Sequence, residues 1–558
     1  MSATLEERAR GAIHVTLQSR GFRQVGTRGG SPLYKGSIKS GSLSVLIELL
    51  VLDPLLITPP RVQILDDAIS ARIDAHVDTD GALCYATTAF EEYDIYDGGG
   101  AILRCLSNVE TTLALVLHGN PIADQYREFI SYWKPVLTLK SDLPPDFTGL
   151  ANLYRRANEN DAPLVATTRT VAAWSRLTLS PARSPVRILR TITPLVLTDE
   201  KRPGDSLSSF RSWIAEFISL DDLAYVDASD VVDGGIVAII APNGAIAVQF
   251  EWPVIEAKAF RKAPPRRRRA WIERHPEQMT LKRHSLKSVA YLDLVNARLA
   301  DPSPLANKKV GVIGAGAIGG RLALDLVKCG AGGPDNPLCL IDPDNLSEEN
   351  LGRHVLGLAD VGKAKVEALA LEAKRFHPSV TVTAVRKNVL DCLPSLEKFD
   401  LLIDATGNNP LALKLNDHAI QVRRERGFPP IIHSAVHGNG LAVQTILVTD
   451  FEHACLKCLR PGHGEFKANP LKPGTHTQMV TATCGDGAHI PYAATAPAMA
   501  AALSLQAVLE WAEKPENPGP RVRTRRLSPD ATIPFKDRSW GPDSECPACR
   551  STFSDGAA

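Results

Sequence analysis

K-V-G-V-I-G-A-G-A-I-G-G-R-L-A-L-D-L, residues 309–326, is the stretch that decides the fold of the C-terminal half of this chain. A short apolar run precedes three glycines in the spacing Gly-x-Gly-x-x-Gly, namely Gly314, Gly316 and Gly319, and a helical apolar pattern follows them. Glycines let the backbone approach a phosphate group closely, and a helix N-terminus favours negative charge. The stretch therefore predicts a strand, a phosphate-binding turn and a helix, which open a nucleotide-binding α/β domain.

The residues after this stretch continue the α/β pattern. Short apolar runs predict four further strands, at PLCLIDPDN, VTVTAV, FDLLIDATGN and PPIIHSAV. An apolar helix is expected over residues 493–512, and the tail at residues 514–530 is expected to be a loop. Asp342 ends the first of these strands, at a distance along the chain that suits a ribose hydroxyl.

Whole-chain properties limit the class of protein. The 558 residues are enough for about three or four domains. A formal net charge of +1 predicts no general attraction to nucleic acid or to a membrane surface. The sequence has no apolar run of about 18 residues or more, and its start lacks the apolar core of a secretory signal. These features predict a cytoplasmic protein with no direct nucleic-acid or membrane partner.

The N-terminal part follows a different, α+β pattern. A helical pattern over LEERARGAIHVTLQSRG precedes two alternating apolar runs, SGSLSVLIELLVLD and PPRVQIL. The stretch GALC, which ends at Cys84, lies in a loop, and GGAILRCLSNVETTLALVL then predicts a second helix. The expected order is therefore helix, strands, cysteine loop and helix.

The middle of the chain, residues 151–290, carries fewer signals. GGIVAIIAPNGAIAVQFEW predicts a β-hairpin, because Asn243-Gly244 suits a turn that needs positive φ. The basic run RKAPPRRRRAW at residues 261–271 is typical of a solvated linker. It could also be a contact for an acidic partner.

The polar residues after Asp342 favour ATP chemistry over a dehydrogenase. Asn350, Arg353 and Lys365 follow in DPDNLSEENLGRHVLGLADVGKAKVEAL. A nicotinamide-dependent dehydrogenase does not need two cations and an amide there. An enzyme that cleaves ATP between the α and β phosphates does, because Arg and Lys offset the charge that builds up on phosphate oxygens.

This motif resembles the adenylating family that includes ubiquitin-activating enzymes, MoeB and ThiF. The resemblance covers about residues 300–550. It implies that Asp342 holds the ribose of ATP, and that Asn350, Arg353 and Lys365 hold its phosphates, the two cations also acting in catalysis. The family usually has T-D-N after its fourth strand, where the Asp organises Mg²⁺. This chain has Thr406-Gly407-Asn408, so Asp404 is the nearest carboxylate for that role.

Cysteines add two further sites. The pairs Cys455-x-x-Cys458 and Cys546-x-x-Cys549 supply four thiolates, enough for a tetrahedral structural zinc site, although two redox pairs are an alternative. MoeB-like enzymes carry such pairs at these positions, and the resemblance therefore implies Zn²⁺. It also implies that Cys484, in TATCGDGAH, is the nucleophile that forms a thioester with the activated C-terminus.

The N-terminal region is similar to ubiquitin-conjugating enzymes over about residues 1–150. These enzymes carry P-P-x-V, then a His, then G-x-[IL]-C. Here the motif reads Pro59-Pro60-Arg61-Val62, then His76, then Gly81-Ala82-Leu83-Cys84. The resemblance implies that Cys84 accepts the thioester. The usual His-Pro-Asn is His76-Val77-Asp78, which lacks the Asn expected to steady the oxyanion when lysine attacks.

Together these patterns predict an α/β and α+β multidomain protein. Residues 1–150 are expected to form a ubiquitin-conjugating-like domain, 151–290 a β-rich linker domain, and 291–558 a Rossmann-like adenylation domain. Fusions in this order resemble the enzymes of CBASS anti-phage operons, which activate the C-terminus of a cGAS-like nucleotidyltransferase. The resemblance also implies a homodimer formed through the adenylation domains. The alternatives are a sulfur-carrier adenylyltransferase, conjugation of a bacterial ubiquitin-like protein, or a non-catalytic adaptor.

Overall fold

The structure, a computed structural model, is described for most of the chain. The described residues are 3–41, 43–66, 76, 82–85, 93–118, 129–156, 162–174, 179–197, 203–226, 234–260, 262–462, 466–481 and 488–550. They form two compact units, one made of Met1–Val171 with Leu177–Ser288 and the other of Ala172–Arg176 with Val289–Ala558.

The first unit begins with an antiparallel sheet flanked by helices. Its elements are α1 (Leu5–Ser19), β1 (Arg23–Arg28), β2 (Ser31–Ser40), β3 (Leu43–Leu50), β4 (Arg61–Ile64) and α2 (Gly98–His118). The strands pair in the order β1-β2-β3-β4, and Thr4 caps α1 in a capping box with Glu7. Leu17 packs with Val45 and Ile102 in one apolar core, because each element turns its apolar stripe inward. The predicted helix, strands and second helix are confirmed.

The rest of the first unit is a barrel that the described strands close. Its strands are β5 (Leu137–Asp142), β6 (Gly149–Arg156), β7 (Leu164–Ala166), β8 (Leu179–Arg190), β9 (Ile236–Ala241), β10 (Gly244–Glu251) and β11 (Thr280–Ser288). They close in the order β10-β11-β5-β7-β6-β8-β9, so no strand edge is left open. The first barrel strand begins at Leu137, inside the range that the sequence assigned to the N-terminal domain. Val165, Ile188 and Ala247 fill its buried interior.

Two features of this region refine the sequence-based expectations. The β9–β10 hairpin is confirmed, but Ala241 pairs with Gly244, so Pro242 and Asn243 form the turn. Gly244 has the positive φ, +150°. Part of the basic run is helical, because Pro265–Arg274 form a helix that starts with proline, a residue that fits the first helical turn. Arg266, Arg267 and Arg269 are exposed, as the solvated-linker interpretation expects, and the role of the run as a linker stays a prediction.

Several helices lie between or beside these strands. They are α3 (Thr168–Ala173), α4 (Leu207–Ile214), α5 (Leu220–Val226), α6 (Val254–Phe260) and α7 (Pro265–Arg274), with a 3-10 turn at Pro276–Gln278.

The second unit is a mostly parallel α/β sheet. Its strands are β12 (Val310–Ile313), β13 (Leu338–Ile341), β14 (Val382–Val385), β15 (Leu401–Asp404), β16 (Ile431–His437), β17 (Ala442–Val448), the short pair β18 (Val480–Thr481) and β19 (Ala488–His489), and β20 (Val522–Arg526). Its helices are α8 (Tyr291–Asn296), α9 (Ala317–Lys328), α10 (Lys365–Phe376), α11 (Asn409–Glu425) and α12 (Thr495–Glu513), with 3-10 segments at Glu348–Asn350, Leu358–Asp360 and Val389–Lys398.

The strand order of this sheet indicates where a ligand would bind. The main sheet runs β14-β13-β12-β15-β16-β17-β20, parallel from β14 to β16 and antiparallel beyond. The chain leaves β12 toward β13 on one side and later returns to β15 on the other. Ligands of such sheets bind at the carboxyl ends of the strands beside this switch point. Gly314, Asp342 and Asp404 all lie there, since each ends or directly follows one of these strands.

The expectation that residues 514–530 form a loop is wrong for five of them. Val522–Arg526 form the edge strand β20, which pairs with β17. Its charged residues give no strand pattern in the sequence. Arg523 is nevertheless only 2% exposed, and its guanidinium donates to Glu510 and to the Pro518 carbonyl. Those partners offset the cost of burying the guanidinium.

Candidate functional site

The three glycines of the β12–α9 turn are required for different reasons. Gly314 has φ +88°, and a Cβ there would approach the Thr406 Cα to 3.0 Å. A Cβ on Gly319 would lie 1.9 Å from the Gly314 carbonyl oxygen, which forbids a side chain at that helix position. Gly316 has nothing within 4 Å of an added Cβ. The first and third glycines therefore shape the turn, and the second leaves open space over it.

Asp342 fastens the end of β13 to this turn. Its Oδ2 accepts a hydrogen bond of 2.7 Å from the Ala315 N–H, and its Oδ1 accepts one of 2.8 Å from the Asp344 N–H. The carboxylate is buried, so these two backbone donors compensate its charge. Its assignment to the ribose stays a prediction.

The predicted phosphate-binding cations lie on the segment after Asp342. Lys365 is the first residue of α10, and its Nζ lies 3.1 Å from the Asp344 Oδ2. The backbone carbonyl of Asn350 accepts a hydrogen bond from the backbone N–H of Arg353. The Arg353 guanidinium lies 5.7 Å from the centre of the Tyr492 ring, within cation–π distance.

His354 is a part of the site that sequence reasoning missed. Its Nδ1 accepts from the Leu356 N–H at 3.0 Å, so its Nε2 carries the proton and donates to the Ala315 carbonyl at 2.8 Å. Burial lowers the pKa of His354, which keeps the ring neutral. This bond ties the Arg353 segment to the glycine turn. The sequence signal was the His that follows Arg353 directly.

Asp404 has partners within the protein. Its Oδ1 accepts from the Thr406 N–H and hydroxyl at 3.1 and 2.7 Å, and its Oδ2 accepts from the His433 Nδ1 at 2.8 Å. The residue is 3% exposed. Burial by itself would raise the pKa of Asp404, but the hydrogen bonds from His433 and Thr406 outweigh it and lower the pKa.

These bonds make Asp404 a poor fit for magnesium. Three of its roughly four lone-pair sites are used by described residues, and the carboxylate is closed off from solvent. The bonds instead shape the Thr406–Gly407–Asn408 turn, in which Asn408 caps α11 by accepting from the Leu411 N–H. The geometry therefore does not support the expectation that Asp404 organises Mg²⁺.

The two cysteine pairs come together in one buried cluster. The Sγ atoms of Cys455 and Cys458 are 3.7 Å apart, those of Cys455 and Cys546 are 3.8 Å apart, and those of Cys458 and Cys549 are 3.4 Å apart. All four lie within 4.8 Å of one another. Tetrahedral zinc with Zn–S bonds of about 2.3 Å requires S–S separations of roughly 3.8 Å. The four thiols therefore fit a structural zinc ion.

The thiols of this cluster differ in how readily they lose a proton. The hydrogen bond from Cys455 lowers the pKa of the Cys458 thiol, and the Asp543 backbone N–H also donates to that sulfur at 3.4 Å. Burial raises the pKa of the Cys549 thiol to about 12. Four buried thiolates would repel one another, so only a bound cation stabilises their fully ionised state. A zinc ion here would join the C-terminal segment to the segment after β17.

The N-terminal cysteine lies at the end of a short bridge to β4. Gln63 pairs with Ala82, and the Leu83 N–H donates to the Val62 carbonyl at 2.9 Å. The Cys84 N–H donates to the His76 carbonyl at 2.8 Å, and His76 has φ +69°. The structure therefore brings the P-P-x-V strand, His76 and Cys84 together, with Cys84 exposed.

Other predicted residues lie outside the described part of the chain. They are Gly81, Val77, Asp78 and the proposed nucleophile Cys484. Among the described residues, no helix combines the length and the apolar character needed to cross a membrane.

Two family models match separate parts of the chain. The model of the ThiF family matches residues 292–547, and the model of prokaryotic E2 family B matches residues 18–140. An ATP-dependent ubiquitin transferase-like protein Cap2 from Pseudomonas aeruginosa is 29% identical over 523 residues, which cover 90% of this chain and 91% of that protein.

Two other matches concern shorter parts of the chain. The adenylyltransferase and sulfurtransferase MOCS3-1 of Zea mays is 29% identical over 160 residues, or 28% of this chain and 32% of that protein. A crystal structure of E. coli MccB with succinimide covers 46% of this chain and 68% of that chain at 20% identity, with a TM-score of 0.34.

Proposed function

Because this chain is a fusion of an E2-like domain and a ThiF-family domain, we propose that it activates the C-terminus of a protein with ATP and transfers it through two thiols to an amine. The observation that carries the proposal is the exposed Cys84 thiol at the end of the P-P-x-V bridge, in the same chain as a nucleotide-type glycine turn. The ThiF-type half alone accounts for adenylation. An exposed acceptor thiol is needed only if acyl transfer follows.

The proposed sequence has four steps. The substrate carboxylate attacks the α-phosphorus of ATP, the bond between the α-phosphorus and the β-phosphate oxygen breaks, and pyrophosphate leaves, which gives the acyl-adenylate. The Cys484 thiolate then attacks the acyl carbon, and AMP leaves. The Cys84 thiolate attacks this thioester and releases Cys484. Finally an amine, which we take to be a lysine, attacks the second thioester, releases Cys84 and loses a proton to solvent.

The described residues support the first step. Asp342 and His354 both bond to Ala315, so they hold the glycine turn and the Arg353 segment against each other. Arg353 and Lys365 are available as cations for the phosphates, which would offset the charge that develops as pyrophosphate leaves. Lys365 would have to exchange Asp344 for a phosphate oxygen when ATP binds.

Fusion of the two domains suits thiol transfer. A donor and an acceptor in one chain meet at an effective concentration far above that of two separate proteins. The Pseudomonas aeruginosa relative, named as ubiquitin transferase-like, matches over both domains. We propose that the activated protein is a cGAS-like nucleotidyltransferase of an anti-phage operon, that the reaction is cytoplasmic because it uses ATP, and that the chain works as a homodimer.

A sulfur-carrier adenylyltransferase is the second candidate. The similarity to the maize adenylyltransferase and sulfurtransferase favours it, but that match covers only 28% of this chain. Such an enzyme would have no use for an E2-like domain. The two candidates differ in what happens at Cys84.

Intact mass under non-reducing conditions tests the proposal. The chain would be mixed with ATP, magnesium and the protein encoded beside its gene, as wild type, Cys484→Ala and Cys84→Ala. The proposal predicts a thiol-labile adduct that Cys484→Ala abolishes and that Cys84→Ala confines to Cys484. Consumption of ATP without an adduct on either cysteine would reject the transfer and favour the sulfur-carrier candidate.

A further inference from the structure

Asn439 lies at the tip of the hairpin that joins β16 to β17. It is flanked by Gly438 and Gly440, which have φ +58° and +80°. The strands pair up to His437 and Ala442, so the turn projects from the carboxyl end of β16. Left-handed backbone on both sides fixes the direction of the Asn439 side chain, because only glycine adopts that conformation without strain.

The Asn439 amide bonds to two points that are far apart in sequence. Its Nδ2 donates to the Gln478 carbonyl at 3.0 Å and to the Pro491 carbonyl at 3.1 Å. Its Oδ1 accepts from the Gln478 N–H at 2.8 Å. One side chain therefore joins the start and the end of the segment 478–491. Inside these points, β18 pairs with β19 through Val480 with His489 and Thr481 with Ala488.

Little apolar packing supports this segment in its described part. Met479 is 66% exposed and Ile490 is 40% exposed. Two strands of two residues each contribute little stability by themselves. The three hydrogen bonds of Asn439 are therefore a large part of what holds the two ends of the segment together.

The C-terminal end of this segment lies close to a predicted phosphate-binding residue. Tyr492 follows Pro491 directly, and its ring lies 5.7 Å from the Arg353 guanidinium. A Cβ on Gly440 would come within 3.1 Å of the Tyr492 Cβ, so the glycine lets the hairpin tip approach closely. Asn439 and Tyr492 thus link the ends of the segment to the residue expected to bind phosphate.

We propose that Asn439 is a positioning residue that sets where the chain carrying Cys484 begins and ends relative to the adenylation site. This inference rests on the proposed function, because Cys484 lies within the segment as its thioester-forming residue. The hydrogen bonds of the Asn439 side chain go to the backbone of Gln478 and Pro491 and not to the glycine turn or the two predicted phosphate-binding cations, so we expect adenylation to depend little on it. Capture of the acyl group should depend on it, because a misplacement of about 1 Å in a reacting group can reduce a rate by about 100-fold.

The test separates adenylation from thioester formation. In a Cys84→Ala background, which keeps the acyl group on Cys484, Asn439→Ala would be compared with the unsubstituted residue by ATP–pyrophosphate exchange and by single-turnover thioester formation. We expect exchange to change by less than about 2-fold and thioester formation to slow by about 10- to 100-fold. Asn439→Asp keeps the acceptor for the Gln478 N–H but loses both donated bonds, so it should also be slow.

A control variant and a second measurement complete the test. Asn469→Ala removes a local bond in which Asn469 accepts from the Leu471 N–H, and should leave both rates unchanged. Limited proteolysis within residues 479–490 needs no substrate and should be faster in Asn439→Ala. Equal loss of exchange and thioester, or no change in either rate or in proteolysis, would overturn the inference. If the protein with the unsubstituted Asn439 shows ATP–pyrophosphate exchange but forms no thioester on Cys484, the proposed function is rejected. Faster proteolysis of Asn439→Ala would then still support the role of Asn439 in holding the segment, and unchanged proteolysis would overturn it.

Discussion

Gly319→Ala should damage the nucleotide site by steric overlap alone. The added Cβ would lie 1.9 Å from the Gly314 carbonyl oxygen, about 1.5 Å short of the 3.4 Å at which ordinary contact begins. The obstacle is backbone, which cannot rotate away as a side chain does. Either α9 or the Gly314 turn must therefore move by more than 1 Å.

The structure sets the size of the effect. Overpacking of this kind costs about 1–3 kcal/mol, and for a unit of this size each kcal/mol lowers Tm by about 2–4 °C. A shift of about 1 Å in the phosphate-binding turn should also lower kcat/KM for ATP by about 100-fold. Thermal unfolding and ATP–pyrophosphate exchange measure the two effects.

Gly316→Ala is the matched control. It makes the same chemical change three residues earlier, where nothing lies within 4 Å of the new Cβ and φ is −81°. Its Tm should stay the same or rise, because alanine restricts the unfolded chain. Its KM for ATP should increase, since the methyl group would occupy space that a phosphate needs. The steric reasoning is refuted if Gly319→Ala keeps its Tm, or if both variants lose equal stability.

Three further predictions concern other parts of the second unit. Purified protein should contain about one zinc per chain by elemental analysis, and Cys549→Ser should lose the metal and lower Tm; metal-free wild type would contradict this. Burial lowers the pKa of His437 to about 4, and the positive charge of Arg460 adds to this effect. The free energy of unfolding should therefore be highest above about pH 6.5 and fall by about 1.4 kcal/mol per pH unit toward pH 4, because the unfolded chain takes up the proton first. His437→Phe should flatten this dependence in urea titrations at pH 7 and 5.5, and an unchanged slope would refute it. His433→Ala should cost about 1.5–3 kcal/mol because it removes a donor from the buried Asp404, whereas His433→Asn, which can still donate, should cost less.

Much of the site could be predicted from local patterns. The glycine spacing, Asp342 at a strand end and the two C-x-x-C pairs each carry a signal within a few residues. The parts of the site that could not be predicted have no such local signal. His354 and His433 are single histidines beside or within apolar runs, and only their contacts with Ala315 and Asp404 reveal what they do.

The sequence by itself determined the elements whose period or turn chemistry is local. These are the helices and strands of the N-terminal sheet, the β9–β10 hairpin, and the strand–turn–helix around Gly314. Their patterns reflect one apolar face or one special φ, both of which are written into neighbouring residues.

Only the tertiary structure decided which distant segments pair. Residues 137–142 join residues 280–288 to close the barrel, and a charged tail becomes the edge strand β20 because Glu510 compensates the buried Arg523. Asn439 likewise bonds to Gln478 and Pro491, which lie 39 and 52 residues away along the chain. The physical reason is that a hydrogen bond or ion pair between distant residues leaves no periodicity in the sequence, so it exists only once folding has brought both partners together.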